Sequence, residues 1–295
     1  MIAEQPPSPL FPGFRVLDVA APDTTIRVRT GGSGPALLLL HGYPQTGAMW
    51  HKLAARLAEE FTVVCPDLRG YGASGKPASD EHHAPYSKRA MAGDMAAVMS
   101  SLGQERFFLA GHDRGGRVAH RLALDHEARV DKVAVLDIAP TREMYRDTTD
   151  AFARAYWHWF FLIQPAPFPE RMIGADPDLY WLDRRKPDLP HFSAEALEEY
   201  LRCFRDPAAI HASCEDYRAA ATIDIAHDDA EGGRKLDVPL LALWGEHGVV
   251  HRCFDPLALW RERASQVSGR PLPGGHYLAE ELPDMVADEM ERFFV

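Results

Sequence analysis

Cysteine is sparse and scattered in this chain: Cys65, Cys203, Cys214 and Cys253, with no pair at CxxC spacing. That spacing excludes a thiolate metal site and a disulfide framework, and free thiols in a reducing compartment are expected. Long apolar runs are missing too. Stretches such as PALLLL fall far short of the roughly 20 residues that span a bilayer. The opening MIAEQPPSPLFPGF has no basic start ahead of an apolar segment, so no signal peptide is expected. Positive charge is in deficit, with 32 Lys+Arg against 43 Asp+Glu and a formal net charge of −11. Nucleic acid and anionic membrane both need a basic surface and are not expected partners. An anionic substrate would meet an adverse long-range field and would need local cations. Repeats and low-complexity segments are absent. What is present is 46% hydrophobic residues over 295 positions, enough for one large core or a core with a lid. A soluble cytoplasmic protein is the expectation.

Short apolar runs alternate with helical patterns. ALLLLHG (Ala36 to Gly42), FTVVCPDLRGYG (Phe61 to Gly72), RFFLAGHD (Arg106 to Asp113), DKVAVLDIAP and VPLLALWGEHG each read as a buried strand running into a turn. Continuous buried strands separated by helices predict an α/β fold, with a mostly parallel sheet covered on both faces. Sites in such sheets lie at the carboxyl ends of the strands. From about Thr141 to Arg234 the chain changes character and becomes rich in aromatics and proline at helical spacing. The expected organisation is a core of residues 1–140 and 235–295 with an inserted helical cap of residues 141–234. Residues before Pro35 carry no functional signal, and His82 and His83 read as exposed loop histidines.

Gly111-His112-Asp113-Arg114-Gly115 fits the glycine-flanked pattern of a nucleophile elbow, with aspartate at the centre. An ordinary strand-to-helix turn with Asp113 as N-cap is the plainer alternative. A carboxylate in this slot changes the chemistry. Attack on an acyl carbon would give an anhydride, whereas attack on a saturated carbon bearing a leaving group gives an ordinary ester. The pattern therefore points to an alkyl halide or an epoxide, followed by hydrolysis. The helix N-terminus favours ionised Asp113.

Hydrolysis needs a base, an acid to orient it and an oxyanion site. GGHYLAEELPD places His276 in a glycine-rich loop near the C-terminus, after the nucleophile in chain order. HGYPQ (His41 to Gln45) follows the first strong strand and would offer the Tyr43 N–H to an oxyanion, with the Arg114 N–H as second donor. The loop after LLALWG holds no aspartate, so Asp137 in VLDIAP is assigned as orienting acid, with Glu246 as the weaker candidate. Arg114 and Arg117 lie three apart in the first helical turn, on one face. Cations there oppose the helix dipole at roughly 0.3–1 kcal/mol each. A substrate carboxylate gripped by both would reverse that balance. Pairing with structural acids is the alternative.

The segments LLLLHGYPQTGAMW, DLRGYGASGKP, LAGHDRGGR, VLDIAPT, HWFFLIQPAP, CEDYRA and GGHYLAEELPD together resemble fluoroacetate (haloacetate) dehalogenases of the α/β-hydrolase superfamily, from about Pro35 to the C-terminus. The resemblance implies the α/β-hydrolase fold, Asp113 as nucleophile, His276 as base, Asp137 as its partner, and Arg114 with Arg117 as carboxylate clamp. It implies a halide pocket of His158, Trp159 and Tyr217, no cofactor and no metal, and a homodimer. From the residues alone, Tyr156 to Phe161 reads as an aromatic face of a lid helix. Three positions depart from the family pattern: Tyr43 where Phe is frequent, Gly116 where Ala is expected, and Trp157 ahead of His158. The rival expectation is an epoxide hydrolase with the same Asp–His–Asp machinery, using donors among Tyr145, Tyr156, Tyr180, Tyr200 and Tyr217. That reading leaves Arg114 and Arg117 without a use. A binding protein on the same fold would not need Asp113, His276 and the oxyanion turn together.

Overall fold

In the computed structural model, which describes residues 1–184 and 189–295, the apolar runs become the middle of a nine-stranded sheet. Its strands are β1 (Ile2–Gln5), β2 (Arg15–Ala20), β3 (Thr25–Gly31), β4 (Ala36–Leu40), β5 (Thr62–Pro66), β6 (Phe107–His112), β7 (Val130–Leu136), β8 (Leu240–Gly245) and β9 (Val267–Leu272). Their order is β1-β2-β3-β5-β4-β6-β7-β8-β9. From β5 to β9 every pairing is parallel, as continuous apolar strands require. Leu37 to Leu40 and all of β8 are buried, and helices cover both faces.

The first three strands add an antiparallel flank to β5, which gives the stretch before Pro35 a structural role. β9 was not legible in the sequence. VSGRPL contains a glycine, an arginine and a proline, and its burial merely alternates. Proline is tolerated there because β9 is the edge of the sheet.

Between β7 and β8 the described residues form eight α-helices and no strand. Trp159, Trp181, Tyr200 and Tyr217 are fully buried among them. No helix among the described residues is long and apolar enough to cross a membrane, and all four cysteines are free thiols. One reading is corrected here. His82 is exposed as expected, but His83 is only partly exposed, and its Nδ1 lies 2.7 Å from buried Glu215 Oε2.

Candidate active site

The carboxyl ends of β4, β6, β7, β8 and β9 converge. At the end of β6 the chain turns into the helix Arg114–Asp125. The glycines of that turn are required by contact. A Cβ on Gly111 would meet Gly115 O at 2.4 Å, and one on Gly115 would meet Leu40 O at 2.4 Å. Both obstacles are backbone and cannot rotate away. Gly116 is less constrained: a Cβ there would stand 2.7 Å from Ile138 Cδ1, a side-chain end that can shift, and 2.9 Å from Gly111 O.

Asp113 sits at φ +47°, a conformation L-residues rarely adopt. Its side chain does not cap the helix. Oδ1 instead accepts from the Tyr43 N–H at 2.9 Å. Burial would push the Asp113 carboxyl up, but His276 and the cations Arg114 and Arg117 outweigh it and hold the group below its usual range.

Asp137 follows β7, also at positive φ, +48°. Its Oδ2 lies 2.6 Å from His276 Nδ1, and its Oδ1 accepts from Gly245 N–H at 3.0 Å. Burial pushes the Asp137 carboxyl up, against the contact with His276. Glu246 is exposed and lies 3.6 Å from His247, so it is not the residue the structure brings to His276. The HGYPQ turn is fixed by His41, whose Nδ1 donates to Gly42 O at 3.0 Å while Nε2 accepts from Leu68 N–H at 2.9 Å.

Asp113, His276, Tyr43, Tyr156, His158 and Tyr217 face one cavity of about 390 Å³. The rings of Tyr217 and His158 are 5.9 Å apart, and those of Tyr217 and Trp159 are 6.3 Å apart. Trp159 is fully buried behind this wall, and its Nε1 has no hydrogen-bond partner among the described residues.

Arg114 and Arg117 are buried behind two of these rings, with guanidinium carbons 4.1 Å from the Tyr217 centroid and 4.6 Å from that of Trp159. Arg114 pairs with Asp216, through Nε at 3.0 Å and Nη2 at 2.7 Å. Arg117 bonds to Thr141 Oγ1, Ala139 O and Met144 Sδ, with no carboxylate partner among the described residues. Each arginine keeps one buried nitrogen without a hydrogen-bond partner there: Nη1 of Arg114 and Nε of Arg117. Burial, and then repulsion from Arg114, lowers the Arg117 pKa, so the pair sits in a field that an anion would relieve.

A model of the α/β hydrolase fold matches residues 35–281. A fluoroacetate dehalogenase from Burkholderia sp is 49% identical over 290 residues, covering 96% of this chain and 95% of that one. The chain belongs to the α/β-hydrolase family, among its haloacetate dehalogenases. A soluble epoxide hydrolase from Corynebacterium sp. (strain C12) is 34% identical, with 90% of this chain and 92% of that one covered. A solved structure described as an α/β hydrolase, from Nostoc sp PCC 7120, superposes with a TM-score of 0.94 at 55% identity, over 96% of this chain and 98% of that one.

Two residues of this dehalogenase escaped the sequence reading. His112 Nε2 donates to the His276 carbonyl at 2.8 Å, and the rings are 4.6 Å apart. Burial, together with His276, pushes the His112 pKa down to about 3, so the ring is a neutral brace. Asp216 is wholly buried and accepts from Arg114, Lys88 and the Tyr71 hydroxyl. Its neighbours Glu215 and Tyr217 share its helix, but nothing in their spacing points to Arg114. Elsewhere, Glu170, His211 and Glu215 cluster closely enough to suggest a cation site. Arg218 already donates to both carboxylates there.

Of the tyrosines weighed for epoxide opening, Tyr156 and Tyr217 face the cavity. Tyr180 meets the Tyr43 hydroxyl at 3.2 Å, Tyr145 packs on Trp159, and Tyr200 donates to Glu280.

Proposed function

We propose that this dehalogenase hydrolyses short 2-haloacids, fluoroacetate or chloroacetate to glycolate and halide, through an ester on Asp113. One observation carries the reading: an elbow carboxylate, buried yet kept acidic, opens onto the same cavity as a histidine already bonded to a second carboxylate. The substrate carboxylate rests on the unpartnered nitrogens of Arg114 and Arg117. Asp113 Oδ attacks the α-carbon from behind. The carbon–halogen bond breaks, and the halide leaves toward His158, Trp159 and Tyr217, whose N–H and O–H donors would receive the developing charge. A chiral α-carbon is inverted.

His276, held through Nδ1 by Asp137, then takes a proton from water at Nε2, and the hydroxide attacks the ester carbonyl. The tetrahedral oxyanion rests on the N–H groups of Tyr43 and Arg114. The Tyr43 N–H already binds Asp113 Oδ1, so the donor is in place before charge forms. The intermediate collapses, the departing glycolate oxygen takes the proton from His276, and the regenerated Asp113 carboxyl loses its proton to solvent. The helices of residues 141–234 act as a cap over a core of residues 1–140 and 235–295. The reading needs no cofactor and takes over the family's homodimer.

The test is halide release from fluoroacetate, chloroacetate and a simple epoxide in parallel, with Asp113→Asn as control. Fluoride release that falls at least a thousandfold in the variant supports the full reading. Chloride without fluoride keeps the ester mechanism and the clamp but rejects the fluoride pocket. Epoxide turnover with no halide release overturns the reading in favour of an epoxide hydrolase, which Tyr156 and Tyr217 on the cavity wall would serve.

A further inference from the structure

The cavity has more room than the smallest haloacids fill. Its volume of about 390 Å³ holds on the order of ten waters at roughly 30 Å³ each. An acid of two carbons fills only a small part of that space. The cavity wall also has a direction. Asp113 is buried, while His247 and Arg252 on the same wall are exposed, so these two mark its mouth. Arg252 is the only lysine or arginine on the described cavity wall, and Asp113 the only carboxylate.

Arg252 makes no ion pair among the described residues, and its helix, Val249–Cys253, is held by the buried Val250 and by one side-chain hydrogen bond. Trp244 Nε1 donates to His251 Nδ1 at 2.9 Å, tying the helix to the end of β8. Glu246 lies beside this rim, 3.6 Å from His247, and the buried Asp137, already paired with His276, stands below Gly248. A cation thus stands at the mouth, in a chain whose net charge of −11 repels anions at long range. The buried arginines lie at the other end of the site, behind Tyr217 and Trp159.

We infer that the cavity accepts 2-haloacids carrying a second carboxylate, and that Arg252 holds this distal group. The inference rests on the haloacid reading above. The first carboxylate takes the buried clamp, the α-carbon faces Asp113, and the remaining arm of the acid points along the open cavity to the mouth. Arg252 is then a specificity-determining residue and takes no part in the bond changes.

The experiment compares chloride release from chloroacetate and from 2-chlorosuccinate, supplied as both enantiomers, by the wild type, Arg252→Gln and Arg252→Lys. Arg252→Gln should raise KM for 2-chlorosuccinate about fivefold, the upper end for a partly exposed ion pair, with kcat held within twofold. KM for chloroacetate should move less than twofold, and Arg252→Lys should recover most of the loss. An equal rise for both acids, or no rise, would overturn the inference. So would a wild type that dehalogenates chloroacetate but not 2-chlorosuccinate. Chloride from neither acid would instead defeat the haloacid reading itself.

Discussion

Asp113 shows how one side chain can be made reactive without being strained into instability alone. A non-glycine residue at φ +47° costs on the order of 1–3 kcal/mol, which the surrounding structure must offset. The offset here is local: an N–H from Tyr43, and a field from His276, Arg114 and Arg117. Because that field depresses the Asp113 pKa, the nucleophile stays ionised below the usual carboxylate range. The two steps can therefore be separated. His276→Asn leaves Asp113 ionised and removes the proton acceptor for water, so chloroacetate should leave a stable carboxymethyl ester. Intact-mass measurement should show a gain of one such group per chain, absent in the Asp113→Asn/His276→Asn double variant. No mass gain in the single variant would remove His276 from its assigned role.

The elements carry the site by close backbone approach, which yields a contrast between two helices. Gly115→Ala puts a methyl 2.4 Å from two backbone oxygens, Leu40 O and His41 O, and so must push the elbow helix off β4. A loss of about 3 kcal/mol, with halide release falling at least tenfold, is expected. Gly93 lies inside the helix Lys88–Ser101, and its added methyl meets nothing within 4 Å. Gly93→Ala should stabilise by about 0.5–1 kcal/mol with activity retained. Urea unfolding of both variants checks the pair. The same contact logic explains what was legible in the sequence. β4 to β8 were readable because strands buried on both faces are continuously apolar, and the elbow because its glycines are forced by backbone contact. β9 was not, because an edge strand tolerates Gly269, Arg270 and Pro271 and loses the apolar signature. Asp137 is preferred over Glu246 because the loop after LLALWG holds no aspartate while the loop after the preceding strand does. Asp216 and His112 were missed because their partners are more than 100 residues away in sequence, and no local pattern encodes such a pairing.

At the scale of the whole molecule, the inserted helices and the sheet are joined through a buried acid. Glu280 lies in the short helix Leu278–Glu281, just after His276. It accepts from the Tyr200 hydroxyl of the inserted helix Ala194–Phe204 at 2.5 Å and from Gln45 Nε2 of the HGYPQ turn at 3.4 Å. Lys52 Nζ stands 3.5 Å from its other oxygen. Burial outweighs these partners and pushes the Glu280 pKa up to about 7 from the ordinary 4.5. The folded state therefore binds this proton more tightly than the unfolded chain. The stabilisation is fully present below the unfolded pKa and is lost as pH rises through the folded one. A rise of this size corresponds to roughly 3 kcal/mol lost between pH 4.5 and pH 8. Glu280→Gln keeps an acceptor for Tyr200 and removes the titration. Unfolding free energies from urea at pH 5, 6.5 and 8 should decline less steeply in the variant than in the wild type. Parallel pH profiles would mean that Lys52 neutralises Glu280 in the folded state, and that the join between cap and sheet is an ion pair instead of a protonated acid.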